Sequence, residues 1–316
     1  MLPVLSIIFH IFFVAVEYIL HKDIDKQKWD ACIRNAGNSL IYAYSFYLDA
    51  MAKNWDALVL NDYGYVMPLT WNKKYGIHYL YQPPFTASLG VFGEKPTAEI
   101  VNAFLQSIPS KFKYTDIYLN HANLFVLKNF ELYKRVNYVL PLGDTYESLY
   151  KNYRDNIKRN IKKSVQLNCV VKKDFAVDKV ISIAKEQFKS IGSIADKDYS
   201  NFKKLYLHLH KQNRAITYGV FSSAGELLAS CVFFTDENRA YYILVGNHPN
   251  GKTLGASHAL IDAFIKDSAG KKLMLDFEGS DIRNLAFFYS SFGAKEENYP
   301  GLKINKLPAV LKLLKK

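Results

Sequence analysis

Residues 239–294 read RAYYILVGNHPNGKTLGASHALIDAFIKDSAGKKLMLDFEGSDIRNLAFFYSSFGA. The order is strand, glycine-containing turn, helix, strand, acidic turn, helix, a layered α/β unit whose turns lie where ligands usually bind. Arg239 to Val245 is apolar without alternation, the pattern of a strand buried on both faces. In the helix that follows, Ala256, Ala259, Leu260, Ala263 and Phe264 recur at the spacing of one helical face, while His258, Asp262 and Lys266 fall on the other. The second strand, Leu273 to Phe277, runs into Glu278-Gly279-Ser280 and carries two carboxylates, Asp276 and Glu278.

LMLDFEGS followed by a helix with FYSSFGA resembles the close of the FemAB-like acyltransferases, a branch of the GNAT acetyltransferase superfamily. The likeness is strongest over the second half of the chain. Further upstream, DNIKRNIKKS at 155–164 is similar to a basic Arg-Asn-Ile-Lys type segment of that family. The resemblance implies an α/β fold of tandem GNAT-like units, with mixed sheets flanked by helices. It also implies an N-acyltransferase with no tightly bound cofactor. Acyl-CoA or aminoacyl-tRNA would be the donor co-substrate and an amine, such as a cell-envelope precursor, the acceptor.

Site residues follow from the same stretch. Acyl transfer to an amine needs a base for the ammonium, donors for the oxyanion and an acid for the leaving group. Asp276 and Glu278, at i and i+2 on a strand, share a face, so either is a candidate base with the other orienting it; capping of the next helix is the alternative. Tyr289 lies in Y-x-x-x-G, similar to the GNAT helix whose tyrosine acts as acid, with core packing as its other reading. GNAT enzymes bind the CoA pyrophosphate on backbone amides at a helix N-terminus. Lys252-Thr253-Leu254-Gly255-Ala256 is a degenerate version of that loop, and places Lys252, Thr253, Gly255 and Ala256 as donor-binding candidates. Gly246 to Thr253 also matches the phosphate-loop pattern GxxxxGK[ST], but Pro249 sits where a backbone N–H is wanted and nothing before 239 supplies the large parallel array of a nucleotide hydrolase.

The chain divides near Gly143. Asp144 to Glu147 has the D-x-x-E form of a capping box and opens a helix to about Val165, with Leu149, Tyr153, Ile157, Ile161 and Val165 as its apolar line. Lys151, Arg154, Lys158 and Lys162 form a basic stripe along it, widened by Arg159 and Lys163. The stripe is either a solvated face or a rail for phosphate or RNA, which makes Arg154 and Lys158 further donor-binding candidates and keeps open a non-catalytic module that binds RNA or an anionic surface. After it, strand, two helices, three strands, helix, strand, helix, strand is the GNAT order over 143–316.

Residues 17–142 form an α+β unit of their own. Asp25 caps a helix with Trp29, Cys32, Ile33 and Ala36 on one face, and a short helix spans Ser45 to Met51. DALVLNDYGYVMPLTW is a hairpin turning at Asn61-Asp62-Tyr63-Gly64. Tyr75, Tyr79, Tyr81 and Phe85 read as the filling of a sheet face, with the lining of a pocket as the alternative. Thr97 to Ile108 is an amphipathic helix, and TDIYLN and NYVLPL are strands. Residues 1–16 are an apolar extension. A signal peptide would carry a basic residue before Lys22, and Glu17 interrupts the run before the ~20 residues of a span. Membrane anchoring and a dispensable extension before a first strand at Tyr18-Ile19-Leu20 both remain. The tail after Pro308 reads as a short basic helix.

Composition bounds the rest. The 316 residues are 49% apolar and 15% aromatic, enough for two buried cores, and the net charge of +12 favours anionic partners. Cys32, Cys169 and Cys231 are far apart and form no CxxC pair, which argues for a reducing, cytoplasmic setting and against a disulfide framework or cysteine-rich zinc site. His208 and His210 lie on different faces of a helix, and no metal site is expected.

Overall fold

The structure, a computed structural model, describes residues 15–189, 192, 194–279 and 281–308; the side chain of Lys252 and the expectations for residues 1–14 and for the tail lie outside the described residues. The first half holds β1 (Glu17–Ile19), α1 (Lys26–Asn35), α2 (Ser45–Met51), β2 (Asn54–Leu60), β3 (Tyr65–Lys74), β4 (Ile77–Tyr81), β5 (Phe92–Gly93), α3 (Ala98–Gln106), β6 (Phe112–Tyr118) and β7 (Leu132–Pro141). The second half holds α4 (Tyr146–Lys151), α5 (Asp155–Gln166), β8 (Val170–Lys173), α6 (Val177–Phe188), α7 (Asp196–His210), β9 (Ala215–Phe221), β10 (Leu227–Thr235), β11 (Arg239–Asn247), α8 (Pro249–Thr253), α9 (Ala256–Ser268), β12 (Met274–Asp276), α10 (Arg283–Ser290) and β13 (Lys295–Asn305).

Local signals hold where they are chemically strong. Asp25 accepts from the N–H groups of Gln27 and Lys28, satisfying donors that the first turn of a helix leaves free. Asn61, Asp62 and Tyr63 all take positive φ in the hairpin between β2 and β3. Elsewhere packing decides. The helix expected from 144 to 165 is two, because the chain bends so that Tyr153, 3% exposed, can enter the core. Its cap is Thr145 rather than Asp144, and Val165 is 67% exposed rather than part of the apolar line. Asp262 is buried on α9, where it accepts from the Tyr146 hydroxyl at 2.9 Å, and is not on a solvated face. Tyr75 sits at a turn with φ 50° and is exposed, so it fills no sheet face.

All strands join one sheet in the order β1-β2-β3-β4-β6-β13-β7-β12-β11-β10-β9-β8, with β5 paired to β3. Only β4/β6 and β11/β12 are parallel among these pairs. The arrangement repeats from both ends: an antiparallel run of strands, one parallel step, then an antiparallel step onto a closing strand. The repeat reaches register, since Tyr81 opposes Asp116 as Tyr241 opposes Asp276. The closing strands are exchanged. β13, last in the chain, pairs with β6 of the first half, and β7 of the first half pairs with β12 of the second. The chain boundary at 142/143 is therefore crossed by the sheet.

On one face, residues of α1, α2, α6 and α7 share a single core in which Phe85 meets Phe202 at 4.8 Å and Phe202 stacks on Phe234 at 5.2 Å. The other face is covered by α3 over the first half and by α4, α5, α9 and α10 over the second. No helix among the described residues is long and apolar enough to cross a membrane.

Candidate active site

The parallel pair β11/β12 is short. It ends at Tyr241 opposite Asp276, and there the chain turns away: Phe277 N–H donates to Tyr138 O at 3.0 Å, and Glu278 and Gly279 adopt φ of 61° and 90°. A left-handed glutamate is sterically costly, and such conformations persist where surrounding bonds enforce them. Here Glu278 N–H donates to Asp276 Oδ1 at 2.7 Å and Gly279 N–H to Asn137 Oδ1 at 2.6 Å.

Asp276 is 3% exposed and fully engaged. Its Oδ2 receives Arg239 at 2.6 Å and its Oδ1 receives Asn137 Nδ2 at 2.8 Å. Arg239 also grips Glu297 through both terminal nitrogens, at 2.8 and 2.9 Å. Burial opposes ionisation of Glu297, yet these bonds hold its carboxyl below the usual range. A buried guanidinium shared by two carboxylates keeps its place only when its donors are used, as they are here. His121, 3.8 Å from Glu297, is pushed below its ordinary pKa by burial, against the pull of the Glu297 charge.

Glu278 differs. Its carboxylate accepts from the Tyr42 hydroxyl, and burial, followed by the Asp276 charge, pushes its pKa well above the carboxylate range. Because it lies past the end of β12, it does not share a strand face with Asp276; the two are linked through the Glu278 N–H. Glu278 borders a small polar cavity with Tyr42, Ser88, His121 and Tyr299. A cleft of about 220 Å³ opens on the other side of Arg239 and His121, lined also by Arg34, Tyr44 and Asp236.

Tyr289 is 7% exposed and stacks on Phe277 with centroids 4.5 Å apart, in the core beneath α10. Burial, and then the Glu278 charge, raise its pKa. The remaining candidates gather around α5. Gly255, at φ 71°, caps α9 and lies so close to the Asn160 carbonyl of α5 that a Cβ would collide with it, and Ala256 is fully buried. Thr253 donates to Asn250 O at 2.8 Å within α8. The Gly255 turn at the amino end of α9 is thus packed against α5, while Thr253 is exposed. On the outer side of that helix, the Arg154 guanidinium lies 4.9 Å from the Phe287 ring, and Lys158 Nζ donates to Lys151 O at 3.3 Å. Among the described residues, none of Lys151, Arg154, Lys158, Arg159, Lys162 and Lys163 is in a salt bridge with an acid. In the phosphate-loop pattern, Gly246 is packed against α6, its would-be Cβ 2.7 Å from Ala184 N, and Gly251 against Leu228 O. These glycines serve close packing in a sheet that is mostly antiparallel.

Sequence reasoning passed over Tyr42, Asn137, Arg239 and Glu297. An arginine opening an apolar strand, and an aspartate inside one, were the available signals, since buried charges require partners. Nothing local marks Tyr42, which is 236 positions from Glu278.

Residues 151–283 match the family model of an acetyltransferase (GNAT) domain. Among curated proteins no sequence matches significantly. Among solved structures, the chain is similar to FemX, with a TM-score of 0.62 at 12% identity over 95% of this chain and 99% of that one. It is also similar to L-PGS from Bacillus licheniformis, with a TM-score of 0.55 at 11% identity over 92% and 95%. A third similar structure is the C-terminal domain of a putative lysylphosphatidylglycerol synthetase from Agrobacterium fabrum, with a TM-score of 0.51 at 9% identity over 92% and 95%. The chain therefore contains a GNAT-type acetyltransferase domain within a FemX-like tandem fold, and the FemAB-like resemblance is borne out.

Proposed function

We propose, from a GNAT-type domain set in a FemX-like fold, that this acyltransferase moves an aminoacyl group from aminoacyl-tRNA to an amine acceptor of the cell envelope. The observation that carries the reading is Glu278, a carboxyl of raised pKa that lies just past the end of the parallel pair, hydrogen-bonded to Tyr42 beside a small cavity. A base works best when its pKa lies near the working pH, and burial brings a glutamate toward that range.

In this reaction Glu278 takes a proton from the acceptor ammonium. The freed nitrogen lone pair forms the new C–N bond at the aminoacyl carbonyl; as the adduct collapses the ester C–O bond breaks, the ribose oxygen taking up one proton while the nitrogen gives up its second, which replaces the proton donated. Tyr289, whose raised pKa keeps its hydroxyl protonated, is the candidate acid for that last step. Arg239, Asp276 and Glu297 hold the turn that carries Glu278.

Two features favour aminoacyl-tRNA over acyl-CoA. At the amino end of α9, where the CoA pyrophosphate would bind through Lys252, Thr253, Gly255 and Ala256, Gly255 is packed against the Asn160 carbonyl of α5 and Ala256 is buried. The cations of α5, Arg154 and Lys158 among them, are in no salt bridge among the described residues and suit a long polyanion, which displaces condensed counterions from many phosphates at once. The test is transfer of labelled amino acid from charged tRNA to a lysyl peptide, with acetyl-CoA as the competing donor. Donor-dependent product from tRNA supports the reading. Product from acetyl-CoA alone reverses the donor, and salt-sensitive RNA binding without product leaves a non-catalytic binding module.

A further inference from the structure

Tyr42 belongs to the first half of the chain, and its hydroxyl donates to Glu278 Oε1 in the second. Its ring is 1% exposed and meets Tyr47 and Tyr241 edge-on, at 5.4 and 5.2 Å. The neighbouring hydroxyls serve the backbone: Tyr47 donates to Phe85 O, and Tyr241 accepts from Ile41 N–H at 3.0 Å. Only Tyr42 of this trio turns its hydroxyl on a titratable side chain. Phenylalanine would fill the same space, so the hydroxyl has a use beyond packing.

We propose that Tyr42 is a positioning residue for acyl transfer, fixing the orientation of the Glu278 carboxylate and supporting its ionised form, so that the first unit completes the active site of the second. This rests on Glu278 being the base. The other charges facing Glu278 do not replace the bond. Asp276, at the end of β12 two residues before it, repels the ionised form. Arg239 of β11 is taken up by Asp276 and Glu297, and His121, 3.8 Å from Glu297, has its pKa lowered by burial. Tyr47 from α2, Tyr241 from β11, Tyr289 from α10 and Tyr299 from β13 are phenols that burial keeps protonated. Among the described residues, Tyr42 is the donor that reaches the carboxylate side chain. Glutamate has three free side-chain torsions, and a single buried donor removes most of that freedom at a point where attack geometry must be held.

Carboxyl carbon NMR of the intact chain follows Glu278 without any substrate, the resonance being assigned by its loss in Glu278→Gln. In Tyr42→Phe the titration midpoint of Glu278 should rise by about one pH unit or more, as expected for removal of a hydrogen bond to a charged group. With charged tRNA and a lysyl peptide, kcat should fall roughly 10-fold with KM little changed, and the acid limb of the pH profile should move up with the midpoint. Tyr42→Phe should cost nothing further in a Glu278→Gln background. An unmoved midpoint, or an equal loss in both backgrounds, overturns the proposal. Near-normal transfer by Glu278→Gln would instead sink the base assignment, whatever Tyr42→Phe does to the midpoint.

Discussion

Asp276 and Glu278 stand two positions apart and have different surroundings, so their substitutions should separate. Asp276→Asn removes a charged acceptor of Arg239 from a buried network that keeps Glu297, a loss on the order of 1–3 kcal/mol read as a lower Tm. Glu278→Gln should lower turnover by about 10²-fold while keeping shape. Its effect on stability carries a sign. The folded pKa of Glu278 lies above its ordinary value of 4.5, so the stability it contributes is present below that pH and is lost as pH rises through the folded pKa. Relative to the parent, Glu278→Gln should therefore gain Tm as pH rises above 4.5; a constant difference across a pH series of melts would contradict the buried-acid description. His258 behaves oppositely. Burial depresses its pKa from 6.5 to about 4, so its neutral form supports folding above 6.5 and that support is lost as pH falls toward 4. His258→Phe should flatten the acid side of the same curve.

At the scale of elements, α5 has a buried side and a bare one. Ile157 and Ser164 are buried, and Asn160 meets Gly255 at the start of α9, while its cations are in no salt bridge among the described residues. Replacing Lys151, Arg154, Lys158 and Lys162 with Glu should leave Tm within a few degrees, because exposed charges contribute little to stability, yet weaken tRNA binding steeply at low salt. Unchanged binding in a filter assay would return the stripe to a solvated face. Gly255→Ala should do the reverse. It adds a Cβ at positive φ against a backbone carbonyl, costing about 1–3 kcal/mol by thermal melting without altering the charged face.

At the scale of the molecule, the exchanged strands make each half depend on the other. Removing β13 strips β6 and β7 of a shared neighbour and takes Leu302 out of the first-half core, so a chain ending before Lys295 should lose the fold of its first half as well as its second. Expressed separately, residues 15–142 and 143–308 should be insoluble alone and recover a paired sheet when co-expressed, measured by co-purification. A monomeric, folded 15–142 fragment would contradict the shared core formed by α1, α2, α6 and α7.

The sequence by itself determined the elements whose signals are local. The hairpin at Asn61 to Gly64, the Asp25 cap and the strand–helix–strand order from Arg239 onward depend on residues within a few positions of one another, and backbone sterics with short-range hydrogen bonds suffice to specify them. The LMLDFEGS stretch likewise marked the turn at Asp276 and Glu278. Tertiary structure alone decided the rest. Long-range pairing put β13 between β6 and β7, burial of Tyr153 split one helix into two, and the meeting of the halves set Tyr42 against Glu278 and Glu297 against Arg239. Each depends on contacts between residues far apart in the chain. What a buried carboxylate or hydroxyl does there is set by which partner arrives, which no local pattern encodes.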